Sequence, residues 1–242
     1  MAQNIYDRTD FFDGYSRLER SVAGLAGAAE WPSMRALLPD MTGLRVVDLG
    51  CGFGWFCRWA REQGAARVLG LDLSDNMLHR ARSMTADPAI TYDRADLERL
   101  ELPATVFDLA YSSLALHYIP DLAPLLATVH RALVPGGYFV FSIEHPILMA
   151  PSRQDWSTNA DGHPVWPVEG YLREGARKSD WLAQGVVKYH RMIGTTLNHL
   201  IQQKFVIAHV EEWGATEAQI AARPEWAKER ERPMFLLIAA RR

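Results

Sequence analysis

The chain has 242 residues, a hydrophobic fraction of 48% and a formal net charge of −3. This length and composition predict one α/β domain, and the slightly acidic balance argues against nucleic acid or an anionic membrane as a partner. No run of about 18 apolar residues that could span a bilayer occurs in the sequence.

The N-terminus has no basic region followed by an apolar one, so we expect no signal peptide. Cys51 and Cys57 are the two cysteines, and their positions beside a glycine turn favour reduced thiols over a disulfide. Together these features predict a cytoplasmic protein.

Residues 1–40 are rich in aromatic side chains and precede the first predicted strand. Apolar residues at helical spacing predict two helices, one with Leu18, Val22 and Leu25 on its apolar face and one with Met34, Leu37 and Leu38. We expect these helices to cover one side of a sheet, and a lid over a ligand is a compatible alternative.

The stretch from Arg45 to Gly54 reads R-V-V-D-L-G-C-G-F-G and predicts a buried strand, a glycine turn and a helix. Such a unit binds nucleotide-like ligands, because glycine lets the backbone approach the ligand and the helix N-terminus offers free N–H groups. A dinucleotide fingerprint would need glycine at Trp55, and the Gly-Lys-Ser/Thr of a phosphate loop is absent.

The remaining pattern, D-x-G-x-G-x-G from Asp48 to Gly54, resembles the first motif of the class I S-adenosylmethionine-dependent methyltransferases. The resemblance implies S-adenosyl-L-methionine as the cofactor. It also implies an α/β, Rossmann-like fold with helices on both faces of a seven-stranded, mainly parallel sheet of order 3-2-1-4-5-7-6. The last strand would be antiparallel.

The second predicted strand, Ala66 to Asp72, ends in a carboxylate. Asp72 follows Gly54 by 18 residues, close to the roughly 20-residue offset at which an acid meets ribose hydroxyls in βαβ units. We therefore expect Asp72 to bind the ribose. Alternatively, Asp72 only begins a turn in which Ser74 caps the helix from Asp75 to Met84.

Two further predicted strands, Ile90 to Asp93 and Val106 to Tyr111, are each followed by polar residues. The resemblance implies that Asp96 hydrogen-bonds the adenine amino group, and a plain turn acid is the alternative. His117 lies near the carboxyl end of the fourth strand, where ligands sit in such sheets. It could contact the cofactor or cap the next helix.

The helix predicted from Leu122 to Leu133 ends at Pro135-Gly136-Gly137, and a fifth strand follows from Tyr138 to Ile143. The phrase L-V-P-G-G-Y-F-V-F-S-I is similar to the entry to the fifth strand in the same family. With the first motif, Asp72 and the F-D-L-A-Y strand, this gives four features in the family's order, and the chain is identified as a member.

The last hundred residues interrupt the helix–strand rhythm and then resume it. We expect a strand from Val186 to His190, a helix from Thr195 to Gln203, and strands from Phe205 to Val210 and Met234 to Ala239. Lys204 stands in a turn where relatives usually have glycine. The predicted parts of this single domain are a helical cap at 1–40, a cofactor-binding core at 41–146, an aromatic-rich insertion at 147–190 and the last part of the sheet at 191–242.

The S-I-E-H-P and K-Y-H-R segments resemble small bacterial methyltransferases that act on small molecules. We expect methyl transfer to oxygen or nitrogen, with carbon as a further option, and no metal. The catalytic candidates are His145, His190 and Glu144, each with a structural hydrogen-bonding role as the alternative. The expected cofactor contacts are Tyr15, Asp48, Gly50, Cys51, Gly52, Gly54, Asp72, Leu73, Met77, Ala95, Asp96, Leu97, Ser112, Ser113 and His117.

The acceptor pocket is expected where segments can cover the carboxyl edge of the sheet. These segments are the surroundings of Phe11, Phe12 and Tyr15, the corner Glu144-His145-Pro146, and the insertion with Trp156, Trp166 and Tyr189. A satellite core of tryptophans beside a larger acceptor is the alternative. A nicotinamide-dependent oxidoreductase and a non-catalytic S-adenosylmethionine-binding protein are the competing functions. We expect a monomer or homodimer that acts on neither nucleic acid nor a membrane.

Overall fold

The computed structural model describes residues 3–242. The strands are β1 Arg45–Leu49, β2 Arg67–Asp72, β3 Ile90–Arg94, β4 Phe107–Ser113, β5 Leu133–Glu144, β6 Ser157–Thr158, β7 Pro164–Val165, β8 Gly175–Ser179, β9 Val186–His190, β10 Val206–Trp213 and β11 Phe235–Arg241. The α-helices are α1 Thr9–Ser16, α2 Glu19–Val22, α3 Trp31–Ala36, α4 Trp55–Glu62, α5 Asp75–Ser83, α6 Leu122–Ala132, α7 Pro146–Met149, α8 Ile193–Gln202 and α9 Glu217–Ala222. Short 3-10 helices cover Ile5–Asp7, Gly24–Gly27, Leu97–Arg99, Leu116–Tyr118 and Pro224–Glu231.

Seven strands form one sheet in the order β10-β11-β5-β4-β1-β2-β3. Strands β1 to β5 pair in parallel, whereas β11 runs antiparallel to both β5 and β10. Counted within this sheet, the order is 3-2-1-4-5-7-6, so the predicted topology and the antiparallel last strand are confirmed. The carboxyl ends of β1, β2, β4 and β5 therefore meet at one edge.

Successive side chains along the central strands point to opposite faces of the sheet, and apolar side chains form a hydrophobic core on each face. Val46 and Leu109 belong to one core, which α3, α4 and α5 cover. Val47 and Ala110 belong to the other, which α6 and α8 cover. From Val46 to Leu49, β1 is buried, and the glycine turn follows directly from this buried strand.

The N-terminal region differs from its prediction. The expected first helix is divided into α1, α2 and the 3-10 helix Gly24–Gly27, and Val22 is 68% exposed rather than buried beside Leu25. Gly24 adopts a φ of +63°, and a Cβ at this position would lie 2.6 Å from the Trp55 ring. Close packing against α4 therefore requires a left-handed glycine here, which ends the regular helix.

The insertion forms two small hairpins, β6–β7 and β8–β9, outside the main sheet. The predicted strand Val186–His190 is confirmed as β9. Lys204 adopts a φ of +68°, a left-handed conformation that explains why glycine suits this turn. Among residues 3–242, no helix is long and apolar enough to cross a membrane.

Candidate functional site

A cavity of about 320 Å³ opens at the carboxyl edge of the sheet, beside the glycine turn. An adjoining cavity of about 90 Å³ shares Tyr15, Arg20, Gly50, Gly52 and Ser113 with it. Two parts of the larger cavity are named here for the roles proposed below. We define the cofactor end by the glycine turn, Asp72 and Asp96, and the acceptor end by His117, Tyr118, Glu144, Trp181 and Tyr6.

The glycine turn depends on left-handed backbone. Gly50, Gly52 and Gly54 have φ values of +81°, +53° and +71°. A Cβ at Gly50 would lie 2.4 Å from the Ala115 Cβ, and one at Gly54 would lie 2.2 Å from the Tyr92 hydroxyl oxygen. At Gly52 the corresponding space is open. Packing therefore dictates Gly50 and Gly54, while Gly52 presents bare backbone to the cavity.

Asp72 lies in the cavity wall and also shapes the glycine turn. Its Oδ2 accepts the Gly52 N–H at 2.9 Å, and its Oδ1 accepts the Ser74 N–H at 2.9 Å. The Ser74 hydroxyl accepts the Met77 N–H and caps α5, so the cap named in the alternative is present although Asp72 also lines the cavity. Burial raises the pKa of Asp72 to about 6 despite these hydrogen bonds.

Asp48 is buried beneath the turn and borders the smaller cavity rather than the larger one. The Cys57 thiol donates to its Oδ2 at 3.3 Å, and burial raises the pKa of Asp48 to about 7. Cys51 borders the same small cavity, and both thiols are free and buried. Burial raises the pKa of Cys57 to about 11, so this thiol is protonated at neutral pH.

The segment that follows β3 in the chain forms another part of the cofactor end. Asp96 caps the 3-10 helix Leu97–Arg99 by accepting the Glu98 N–H at 3.0 Å. Leu73, Met77, Asp96 and Leu97 all line the cavity, which gives an acid beside an apolar slot. Three expected cofactor contacts, Gly54, Ala95 and Ser112, lie outside both cavities. The Ser112 hydroxyl is buried and donates to the Leu49 carbonyl at 2.7 Å.

The acceptor end contains a buried ion pair. Lys188, which is 3% exposed, donates to Oε1 of Glu144, and its Nζ lies 4.7 Å from the centre of the Trp181 ring. The Lys188 ammonium keeps the pKa of Glu144 below its usual value, although burial opposes this. His117 Nδ1 accepts the Glu144 N–H at 3.3 Å, and burial lowers the pKa of His117 to about 3.

The N-terminal segment and the insertion close over the cavity together. Gln3 Oε1 accepts the Val187 N–H at 2.9 Å, and Gln3 Nε2 donates to the Gly185 carbonyl at 3.3 Å. The Tyr6 hydroxyl donates to the Tyr118 hydroxyl at 3.3 Å. Phe11 packs edge-to-face on Trp181 behind this wall, with ring centres 5.6 Å apart.

Two of the three catalytic candidates lie outside both cavities. His145 is fully buried: its Nδ1 accepts the Ile147 N–H at 3.1 Å, and its Nε2 lies 2.9 Å from Oε1 of Glu212. His190 is fully buried too, with Nε2 2.8 Å from the Tyr171 carbonyl. Burial lowers the pKa of both imidazoles. Only Glu144 of the three reaches the cavity wall.

The expected aromatic wall also needs correction. Trp156, Trp166 and Tyr189 line neither cavity. Trp156 and Trp166 pack together with ring centres 5.2 Å apart, and the Arg232 guanidinium lies 4.1 Å from the Trp166 ring centre. They form a satellite cluster, as the alternative proposed, while Trp181 is the tryptophan of the insertion that lines the larger cavity.

No site role was assigned from the sequence to several residues that form or support the cavity wall. These residues are Tyr6, Arg20, Tyr118, Trp181, Lys188 and Phe235. A signal existed for Lys188, since Val186, Lys188 and His190 share one face of β9 and all three are buried. A lysine at a buried position requires an acidic partner. For Arg20, which is 23% exposed and paired with buried Glu30, no local pattern marked a ligand.

The family of methyltransferase domains matches residues 47–141, from β1 into β5. A crystal structure of an S-adenosylmethionine-dependent methyltransferase from Mesorhizobium loti is 65% identical, with a TM-score of 0.88 over 90% of this chain and 100% of that one. A structure from Listeria monocytogenes is 40% identical, with a TM-score of 0.81 over 89% of this chain and 98% of that one.

A third relative is similar over a shorter stretch. The malonyl-[acyl-carrier protein] O-methyltransferase of Salmonella typhimurium is 40% identical over 127 residues. The match covers 51% of this chain and 49% of that protein, so the chain spans about half the length of this relative.

Proposed function

The chain belongs to the class I S-adenosylmethionine-dependent methyltransferases, and from that premise we propose which residues hold the cofactor and what receives the methyl group. The chain is an enzyme that uses S-adenosyl-L-methionine as its methyl donor. The cofactor supplies an activated methyl group on a sulfonium. Every other contribution to the reaction must come from the chain's own residues.

The residues at the cofactor end fit the parts of the cofactor. Bare backbone at Gly52 allows close approach, and Asp72, half-buried in the cavity wall, is suited to accept ribose hydroxyls. Asp96, Leu73 and Leu97 offer an acid and an apolar slot for adenine. Gly50, Met77 and Tyr15 complete this wall.

The methionine part of the cofactor fits the region shared by the two cavities. Arg20 lies there, and only one of its guanidinium nitrogens, Nη2, is bound to Glu30, at 2.8 Å from each carboxylate oxygen. The remaining donors suit a carboxylate. Asp48 and Ser113 border the same region, and a cationic group there would offset the desolvation of Asp48.

We propose a small molecule as acceptor, methylated on oxygen or nitrogen, with carbon as a further option. The observation that supports this most strongly is the acceptor end itself, a recess with Tyr6, Tyr118 and Trp181 in its wall and Glu144 facing it. Aromatic walls exclude water and pack on a planar or apolar acceptor, while a carboxylate orients a donor group. Positioning of this kind can supply roughly 7–11 kcal/mol of barrier reduction.

We propose structural roles for His145 and His190. Both ring nitrogens of His145 have local partners, since Nδ1 caps α7 and Nε2 contacts Glu212. Nε2 of His190 ties β9 to Tyr171, whereas its buried Nδ1 has no hydrogen-bond partner among residues 3–242. Residues 1–40 and 147–190 would act as the cover of the site, on the core formed by 41–146 and 191–242. Free buried thiols at Cys51 and Cys57 support a cytoplasmic location.

A direct test measures binding and turnover separately. Calorimetry should show that S-adenosylhomocysteine binds and that NADH does not. A screen of small alcohols, phenols, amines and carboxylic acids with S-adenosylmethionine should then release S-adenosylhomocysteine for at least one class. Tight NADH binding, or turnover of a protein or nucleic acid with none of the small molecules, would contradict the proposal.

A further inference from the structure

One carboxylate oxygen at the acceptor end has no protein partner. Oε1 of Glu144 is bound by Lys188, whereas Oε2 is buried and has no hydrogen-bond partner among residues 3–242. Glu144 lines the larger cavity. A buried charged oxygen without a partner costs free energy, so a ligand that donates a hydrogen bond to it is favoured.

A hydrogen-bond donor lines the cavity beside this acceptor. His117 lines the same cavity, and its Nδ1 is occupied because it accepts the Glu144 N–H. Burial lowers the pKa of His117 to about 3, so the imidazole is neutral at physiological pH. A neutral imidazole whose Nδ1 accepts must carry its proton on Nε2. Nε2–H is therefore available as a donor.

This arrangement restricts the chemistry of the acceptor, and the restriction rests on the proposed function. We propose that the acceptor is a neutral alcohol or phenol on an apolar, preferably aromatic, frame. Its hydroxyl donates to Oε2 of Glu144 and accepts from Nε2–H of His117. Tyr6, Tyr118 and Trp181 pack against the frame.

The other acceptor classes fit less well. A carboxylate would face the ionised Glu144, whose neighbouring cation Lys188 is already engaged with Oε1. Arg20, the cation at the other end of the cavity, is assigned above to the methionine part of the cofactor. A protonated amine has no lone pair for the reaction, and the Lys188 ammonium close to Glu144 disfavours a second cation. A hydroxyl matches one acceptor and one donor at once.

The methyl transfer then balances. The hydroxyl oxygen forms the new C–O bond, the bond between sulfur and the methyl carbon breaks, and its electron pair remains on sulfur as a neutral thioether. The hydroxyl proton passes to Oε2 of Glu144. The carboxylic acid loses that proton to water when the ether product leaves. In this assignment Glu144 is the catalytic base, His117 orients the hydroxyl and Lys188 is a positioning residue.

The test uses three probes with one ring system: 2-naphthol, 2-naphthoate and 2-naphthylmethylamine. Each is titrated by calorimetry into the full chain saturated with S-adenosylhomocysteine. We expect 2-naphthol to bind at least about tenfold more tightly than 2-naphthoate, the ratio that loss of one charge-assisted hydrogen bond produces. In Glu144→Gln this preference should fall below about threefold. Glu169→Gln, an exposed change in the insertion, should keep it.

Because Glu144→Gln leaves Lys188 buried without its partner, the double variant E144Q/K188M is measured as well. Unchanged S-adenosylhomocysteine affinity shows that a variant is folded. The hydroxyl assignment is overturned if 2-naphthoate binds the wild-type chain as tightly as 2-naphthol or more tightly. It is also overturned if the preference for 2-naphthol survives in the double variant, or if none of the three probes binds. Failure of S-adenosylhomocysteine to bind the wild-type chain would instead refute the proposed function.

Discussion

The cofactor end and the acceptor end of the cavity are built by different means. At the cofactor end the shape comes from the backbone of a turn with three left-handed glycines. The Asp72 carboxylate holds this turn by accepting an N–H from a residue only 20 positions away. At the acceptor end it comes from side chains of distant segments, such as Lys188 with Glu144, and Tyr6 with Tyr118 112 residues later. We therefore expect the cofactor end to be sensitive to backbone changes and the acceptor end to changes of side-chain chemistry.

The largest effect should come from Gly50→Ala. Its Cβ would lie 2.4 Å from the Ala115 Cβ, in a backbone with a φ of +81°. Left-handed strain of about 1–2 kcal/mol and overpacking of about 1–3 kcal/mol should together lower the free energy of unfolding by about 2–5 kcal/mol. Displacement of the turn should weaken S-adenosylhomocysteine binding more than about 100-fold, or by over 2.7 kcal/mol.

Gly43→Ala is the matched control, since Gly43 has a φ of +77° and nothing within 4 Å of the added Cβ. Only the left-handed strain should remain, and affinity for S-adenosylhomocysteine should be unchanged. Equal losses of affinity in the two variants, measured by calorimetry alongside urea unfolding, would show that close packing at Gly50 is not what shapes the site.

A smaller loss is expected for Asp72→Asn. Removing the charge weakens hydrogen bonds to the ribose by about 1.5–3 kcal/mol, which corresponds to roughly 10- to 150-fold in affinity. Ribose hydroxyls bind the ionised carboxylate best, and the pKa of Asp72 is about 6. Affinity of the wild-type chain should therefore fall as the pH drops below 6, and calorimetry of the variant should show a flatter profile. An identical profile in both would exclude Asp72 from the ribose site.

Lys188→Met tests the acceptor end. The charged and titratable groups that influence Glu144 are Lys188, His117, Arg232 and, through its hydroxyl, Tyr118. Since Lys188 lowers the pKa of Glu144, its removal should raise that pKa and move the acid limb of kcat/KM to higher pH. Each unit by which the pKa exceeds the assay pH lowers the ionised fraction about tenfold.

Binding of S-adenosylhomocysteine should stay unchanged in Lys188→Met, because the ion pair lies at the other end of the cavity. Lys188→Arg should restore much of the wild-type pH profile. A purely structural role would lower activity equally at every pH, and that result would remove Lys188 from the positioning of Glu144.

The smallest effect is predicted for His145→Asn. Asparagine can still cap α7, so the change should cost about 1 kcal/mol of unfolding free energy through the lost contact with Glu212. Turnover of an acceptor found by the screen should stay within about twofold of wild type, because the side chain does not reach either cavity. A loss of about 100-fold, the lower bound typical of a missing general base, would reinstate His145 as a catalytic residue.

The contrast between local backbone at the cofactor end and distant side chains at the acceptor end also explains which parts of the site could be predicted from the sequence. The sheet order followed from a family motif, and Asp72 was found by its offset from Gly54, because a strand, a turn and the next strand form a local unit. The buried strand β1 was likewise predicted from its short β-branched run, and Val46 and Val47 lie in the two cores.

The acceptor end could not be predicted in the same detail, because composition does not indicate which way a ring faces. Trp166 directs its indole N–H to the Ile147 carbonyl at 3.0 Å and stacks on Arg232, whereas Trp181 lies over Lys188. His145 follows β5 at the predicted position, but its Nε2 is engaged by Glu212 on β10, a residue 67 positions away. Such contacts depend on tertiary packing between distant segments.

Gln3 has a consequence for how the enzyme is made. Its two hydrogen bonds to β9 and the preceding turn join residues that are 182 and 184 positions apart in the sequence. On the ribosome, the glycine turn and β2 are synthesised long before β9 emerges, and contacts of large sequence separation carry the larger loop-closure cost. The cover of the acceptor end can be completed only after β9 has been translated.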